Sequence, residues 1–251
     1  MEKTIGLIAA MDQESRALLR LVRGWQPLAI GTLHGQSFAT GGTRCILVTS
    51  GMGARRARLA AASLMKEHAP HLLISFGIGG AVEASLGIGD VVAAESVSRL
   101  AGGRPGAPQP LQPWPAAASE AACQALRPRG ARWLAGTAIT TPGFQVGPDE
   151  LGNLLHPVLE METAGIAEAA AETGVPLLAL RSISDGPQAP LPFDLGRIMD
   201  EDANLRPASL VREIIRQPGT LFRAGRMMRN SATAADNAAL ALMAALRVMD
   251  V

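Results

Sequence analysis

Aromatic residues make up only 3% of the 251 positions, and tyrosine is absent. A platform that stacks the bases of single-stranded nucleic acid needs several exposed rings, so this composition argues against one. Cysteine is equally scarce. Cys45 and Cys123 stand alone with no C-x-x-C pair, which disfavours both a disulfide scaffold and a structural zinc site. Charge of one sign is missing too: 23 basic and 22 acidic residues leave +1. No global field then draws the chain to nucleic acid or to an anionic membrane. Nor does any apolar run approach the ~18 residues of a membrane-spanning helix. The run Ile5 to Ala10 is soon interrupted by Asp12 and Glu14. It is too short for a secretory leader, so the expected location is cytoplasmic. Lysine occurs only at Lys3 and Lys66, the other basic residues being arginine, a bias we ascribe to genomic codon usage.

Several catalytic patterns are also lacking. There is no Walker loop, no G-x-S-x-G elbow and no H-E-x-x-H. Gly77-x-Gly79 follows a strand-like run but lacks the third glycine and the later acid of a dinucleotide site. His68 and His71 are separated by Pro70, which spoils a helical metal face, and His34 and His156 are isolated. No metal and no cofactor is expected.

What is present is a core. Apolar residues are 48% and charged residues 18%, well outside a disordered composition. Ile5 to Ala10 reads as a buried strand, and Asp12 as the cap of a helix carrying Ala17, Leu18, Leu19 and Leu21. Ser37 to Ser50 reads as a hairpin turning at Gly41-Gly42-Thr43. Gly51-Met52-Gly53 then opens a helix to about His68. Leu72 to Phe76 is a near-continuous apolar run ending at Gly77-Ile78-Gly79-Gly80, and Val91 to Val97 is another strand. Trp133 to Thr140, Pro157 to Glu160 and Val175 to Ile183 read as further strands, with a helix over Ala164 to Thr173. This alternation predicts an α/β fold with a largely parallel sheet covered on both faces.

Ala101 to Pro115, with three glycines and five prolines, reads as a surface excursion inside one domain. The expected organisation is a single domain over 1–251, with a core over 1–205 and a helical extension over 206–251. That extension would hold helices at Ala208 to Arg216 and Leu221 to Met249, broken by Pro218-Gly219. Between Arg206 and Arg229 six arginines face one acid, Glu213. A solvated basic face is the plain explanation; peripheral contact with anionic lipid is the sharper one.

Two acidic clusters carry the chemical interest. Glu160-Met161-Glu162 lies at a strand end and a helix start, where the helix dipole favours an ionised carboxylate able to accept hydrogen bonds from hydroxyls. Asp185 lies at the carboxyl end of a buried strand, between Ser184 and Gly186, which suit a tight turn. Singly, each is explained by capping or by a turn. Together, with Glu14 just after the first strand, they point to a site at the strand ends.

The segments Ile5 to Glu14, Ser50-Gly51-Met52-Gly53, Gly77-Ile78-Gly79-Gly80-Ala81, Gly87-Ile88-Gly89-Asp90-Val91-Val92, Glu160-Met161-Glu162 and Arg181 to Asp185 follow one another in this order. This set resembles the methylthioadenosine/S-adenosylhomocysteine nucleosidases of the nucleoside phosphorylase superfamily. The resemblance implies a three-layer α/β/α sandwich around a twisted mixed sheet, assembled as a homodimer or a higher homo-oligomer. It also implies roles. Glu162 would hold the ribose 2′- and 3′-hydroxyls, with Met161 against the sugar. Asp185 would support protonation at purine N7, and Glu14 would position and deprotonate water. Phe144 would stack on the base, and Ser184, Gly79 and Ile78 complete the substrate-binding candidates. Cleavage of an N-ribosidic bond passes through an oxocarbenium-like state, so it calls for an acid on the departing base and negative charge by the sugar. Asp185 should then have a raised pKa while Glu162 stays anionic.

A second resemblance covers Ile74 to Ala81, Leu191-Pro192 and the tail with Arg216-Gln217-Pro218-Gly219. These are similar to the hopanoid-associated phosphorylases, which implies removal of adenine from adenosylhopane. Phosphorylases carry a Gly-Asp-Pro-x-Arg type segment where this chain has Ala10 to Glu14, which favours water. Phosphate as co-substrate stays open if Arg55 and Arg56 face the site, although the exterior of the helix is the expected place for them. A nucleoside-binding protein without catalysis is the alternative from another class.

Overall fold

In the computed structural model, residues 3–142, 151, 153–190 and 220–249 are described, those from 220 to 224 by backbone alone. The strands are β1 (Thr4–Ala9), β2 (Gln26–Ile30), β3 (Leu33–Thr40), β4 (Thr43–Thr49), β5 (Leu72–Ala81), β6 (Val91–Ala101), β7 (Arg104–Pro105), β8 (Gln109–Pro110), β9 (Trp133–Thr140), β10 (Pro157–Glu160) and β11 (Leu177–Asp185). The helices are α1 (Asp12–Leu19), α2 (Ala54–His68), α3 (Ala116–Leu126), α4 (Thr163–Thr173) and α5 (Thr220–Leu246).

The sheet runs β10-β9-β6-β11-β5-β1-β4-β3-β2, and β10 also pairs with β5. Strands β5, β11, β6, β9 and β10 therefore close into a ring, with β1 to β4 continuing as an open wing. Strands β1, β4, β5 and β11 are mutually parallel, whereas β6, β9 and β10 run the other way. The sheet is thus mixed, as the family resemblance implies, and not largely parallel as strand–helix alternation alone suggests. Alternation is blind to direction: β6 follows β5 through a loop, without an intervening helix, and so returns antiparallel beside β11.

Helices cover both faces. On one, Ala57, Ala60, Ala61 and Leu64 of α2 pack with Ile166, Ala169 and Ala170 of α4 over Ile8, Ile46 and Leu73. The two helices approach closely because Gly165 faces Ala54, whose carbonyl oxygen would lie 2.0 Å from a Cβ at position 165. On the other, α1, α3 and α5 bury Leu18, Leu126 and Leu242 against Leu7, Phe76 and Leu180. Five alanines between Ala234 and Ala241, at most 1% exposed, give α5 a smooth side that packs flat on the sheet.

That packing corrects one expectation. The second half of α5 is a wall of the main core, not an extension beyond it. The predicted helix at 208–216 and most of the basic stretch lie outside the described residues, while Arg226 and Arg229 are exposed on α5. Strand β2 was not foreseen; its exposed edge residues leave little hydrophobic signal. The excursion after β6 folds back as β7 and β8. It is pinned where Trp114 Nε1 donates to Ala179 O at 3.0 Å and meets Trp133 edge-on. No helix among the described residues is long and apolar enough to cross a membrane.

Candidate active site

Strand β1 delivers Glu14 through a tight turn into α1. Met11, not Asp12, is the helix N-cap, and Glu14 occupies the third helical position. From there its Oε2 reaches back to accept from Ala10 N at 2.9 Å and Met11 N at 2.8 Å. Such a carboxylate commonly satisfies the orphan donors of a helix start. Here the remaining oxygen looks elsewhere: Oε1 accepts from Ile78 N at 2.9 Å, bridging β1 to the middle of β5. Gly77 leaves the room, since a Cβ there would lie 2.4 Å from that oxygen. Burial pushes the Glu14 carboxyl above its ordinary value, although Ile78, Met11, Ala10 and the charge of Arg181 pull the other way.

Strand β5 does not stop at Phe76, as its apolar run suggests, but continues through its glycines to Ala81. They keep the strand pairing while letting acids approach: Glu14 at Gly77 and Asp185 at Gly80. Asp185 lies opposite Gly80 across the β11–β5 ladder, beside a register shift after Ile183. Its Oδ1 accepts from Ser184 Oγ at 2.6 Å, and the same hydroxyl lies 3.2 Å from Gly79 O. Burial raises the pKa of Asp185 against the lowering effect of Ser184.

The third acid arrives from the opposite direction. Because β10 is antiparallel to β5, Glu162 is not at the carboxyl end of a parallel bundle, where its place was expected. It reaches the same region on the ring's return strand and forms the N-cap of α4. Its Oε1 accepts from Gly53 N at 3.0 Å. Gly53 has φ of 101°, a conformation glycine adopts without strain. The Glu162 carboxyl is pushed up to about 7, first by burial and then by the charges of Glu160 and Glu14, with Arg181 and Gly53 opposing. The helix dipole, expected to keep it ionised, is therefore opposed by its surroundings. A dipole contribution is small beside desolvation and two neighbouring carboxylates.

Within electrostatic reach of Glu14 and Glu162 sits an ion pair that sequence reasoning did not assign. Arg181, 3% exposed, donates from Nη2 to Glu160 Oε2 at 2.7 Å, Ser75 Oγ at 2.8 Å and Thr163 Oγ1 at 2.9 Å. Glu160 also accepts from Thr140 Oγ1 and from the backbone of Glu162 and Thr163. Burial alone would raise the pKa of Glu160, but Arg181 and the two threonines outweigh it and hold the group ionised. The signal was present as an acid two residues before Glu162 and an arginine four before Asp185. Their meeting depends on β10 and β11 flanking β5.

A cavity of about 490 Å³ opens beside Glu162, lined by Met161, Met52 to Arg56, Leu59, Arg99, Leu100 and Thr140 to Pro142. Met161 therefore borders the cavity. Arg55 and Arg56 border it too, while Arg55 is exposed and Arg56 half-buried, in keeping with a place on the helix exterior: α2 begins at the cavity, so its first turn borders it. Glu14, Ile78, Gly79, Ser184 and Asp185 lie around β5, outside the cavity lining. Phe144 is outside the described residues. Among those described, no group of three or more histidines, cysteines and acids is arranged to hold a metal.

A closed-ring mixed sheet with acids at the start of α1, before α4 and at the end of β11 defines a class. Residues 4–216 match the model of the Phosphorylase superfamily, and the chain belongs to that family. Among its relatives, the 5'-methylthioadenosine/S-adenosylhomocysteine nucleosidase of Shewanella halifaxensis is 31% identical over 208 residues, covering 76% of this chain and 89% of the relative. The S-adenosylhomocysteine nucleosidase of Streptococcus pyogenes, solved with 5-methylthiotubericidin, superposes with a TM-score of 0.71 at 23% identity, covering 100% of this chain and 98% of that one. The futalosine hydrolase of Helicobacter pylori has a similar fold, with a TM-score of 0.70 at 15% identity over 98% of each chain.

Proposed function

We propose that this protein cleaves the N-ribosidic bond of an adenine nucleoside bearing a 5′ substituent, of the methylthioadenosine or adenosylhomocysteine kind, with water as nucleophile. The observation that carries this reading is the burial of Glu14 and Glu162 within electrostatic reach of each other, both with raised proton affinity. The names of the relatives agree with it.

In this mechanism Asp185, whose proton affinity is raised by desolvation, shares a proton with purine N7 and makes the base a better leaving group. Electron density then leaves the sugar and C1′ gains positive character. Glu162 accepts hydrogen bonds from the ribose hydroxyls, which favour its ionised form and draw its pKa down. Glu14, gripped by three backbone N–H groups, has no freedom to turn away and takes a proton from the attacking water. Arg181 stays committed to Glu160 and supplies background positive charge that limits how far Glu14 and Glu162 rise. The chemistry asks only for acids, a base and water.

Phosphorolysis is the second reading, favoured by the two arginines at the cavity. The test is adenine release from methylthioadenosine and adenosylhomocysteine, with and without inorganic phosphate. We expect free ribose products with no phosphate requirement, and a loss of about a hundredfold or more in kcat for Asp185→Asn. Full turnover by that variant sinks the assignment of the acid. Formation of a ribose 1-phosphate product sinks water as nucleophile.

A further inference from the structure

Two carboxylates from one short segment compete for a single buried guanidinium. Arg181 Nη2 lies 2.7 Å from Glu160 Oε2 and 3.9 Å from Glu162 Oε2. The first distance is a hydrogen bond and the second is not. The guanidinium itself is held unevenly. Nη1 donates to Leu180 O on its own strand at 2.9 Å, and the buried Nε has no hydrogen-bond partner among the described residues. Its direction is therefore set by the acceptors of Nη2, which are the hydroxyls of Ser75 and Thr163 and one charged group, Glu160. Glu160 is fixed in turn. Its Oε1 accepts from Thr140 Oγ1, and its Oε2 from Thr163 Oγ1 at 2.7 Å, Thr163 N at 2.8 Å and Glu162 N at 3.0 Å. Glu162 is held more loosely: among the described residues, the hydrogen bond to its Oε2 is a long one, from Met161 N at 3.3 Å.

We infer that Glu160 is a positioning residue for the ribose: it keeps the guanidinium of Arg181 off Glu162, so that Glu162 Oε2 stays open to the sugar hydroxyls. The inference rests on the nucleosidase reading and extends it to a side chain that is 0% exposed and therefore acts through others. A carboxylate already paired with a guanidinium yields that contact reluctantly to a neutral hydroxyl, because the charge-assisted bond is the stronger. Neutralising Glu160 removes the preferred partner of Arg181. At short range in a buried site, the remaining carboxylate then attracts the guanidinium strongly. Both groups already act on Glu162 from where they stand, Glu160 raising its proton affinity and Arg181 lowering it.

The test compares methylthioadenosine with its 2′,3′-dideoxy counterpart. The ratio of their kcat/KM values is measured at pH 8, above the value of about 7 to which the Glu162 carboxyl is pushed. We expect Glu160→Gln to lower the wild-type ratio by about tenfold, because the hydroxyls lose an open charged acceptor. Adding Arg181→Met removes the competitor and should bring the ratio back to within about threefold of wild type. Glu160→Asp keeps the charge, strands no cation and withdraws the carboxylate by one methylene. It should lower the ratio by about threefold, and it provides the measurement if Glu160→Gln does not fold. Loss of folded protein slows both substrates alike, so a lower activity with an unchanged ratio overturns the inference and leaves the nucleosidase reading intact. A ratio that falls in Glu160→Gln and is not restored by Arg181→Met overturns it as well. So does a wild type indifferent to the hydroxyls, which has no clamp to keep open. If the wild type releases adenine from neither nucleoside, the nucleosidase reading fails, and the same ratio taken from calorimetric affinities decides the inference.

Discussion

Arg181 Nη2 lies 2.7 Å from Glu160 Oε2, in a pair whose side chains are 3% and 0% exposed. A salt bridge this deep contributes little net stability, because desolvation offsets most of the attraction, but breaking one side strands a buried charge. Glu160→Gln should therefore destabilise the protein by about 3–5 kcal/mol. Adding Arg181→Met should recover part of that loss, since the second change removes the stranded cation. Urea denaturation of the two variants checks this. A single variant as stable as wild type would mean that Ser75 and Thr163 alone satisfy Arg181.

The second prediction concerns pH. The Glu162 carboxyl moves from an ordinary 4.5 to about 7 on folding, so the native state binds more protons than the unfolded state between those values. Stability conferred by the protonated group is fully present below 4.5 and is lost as pH rises through about 7. The raised values of Glu14 and Asp185 act in the same direction. Glu162→Gln removes its share, flattening the profile and leaving the variant more stable than wild type at pH 8 by about 3 kcal/mol. Glu160 acts oppositely and only at lower pH, its stabilisation disappearing as pH falls through its depressed value. Thermal melts of wild type and variant from pH 4 to 8 give the comparison. Parallel profiles would show that Glu162 titrates normally.

Much of this arrangement was legible in the residue order. The acids at 14, 162 and 185 were recognisable because each follows a strand, and glycine-rich segments between them preserve a family order. Strand direction was not. The closure of β10 onto β5 is a pairing between distant segments, and nothing local to Pro157–Glu160 encodes it. The same non-local closure brings Arg181 to Glu160, so the pair that tunes the acids escaped assignment. Helix α5 was placed but misjudged as an appendage, because its alanines read as helix propensity without saying what they cover. Arg55 is exposed and Arg56 half-buried, and only the position of the cavity shows that both also border it.

The last prediction turns on the glycine that admits Glu14. Gly77 lies in β5 with ordinary extended backbone, so alanine is allowed there on conformational grounds; the obstacle is purely the approach of the carboxylate. A Cβ at this position would lie 2.4 Å from Glu14 Oε1 and 2.8 Å from its carboxyl carbon. Glu14 has little room to yield, because its other oxygen is bonded to Ala10 and Met11 at the start of α1. Gly77→Ala must then break the Ile78 bond or shift the helix start, at a cost of about 1–3 kcal/mol. With Glu14 as the proposed base, its displacement by about an ångström is expected to lower kcat by about a hundredfold. KM should change little, since Glu162 and the cavity are untouched. Steady-state kinetics with denaturation curves separates the two effects. If Gly77→Ala melts as wild type and keeps its kcat, Glu14 is not held where the reaction needs it, and the base must be sought elsewhere around β5.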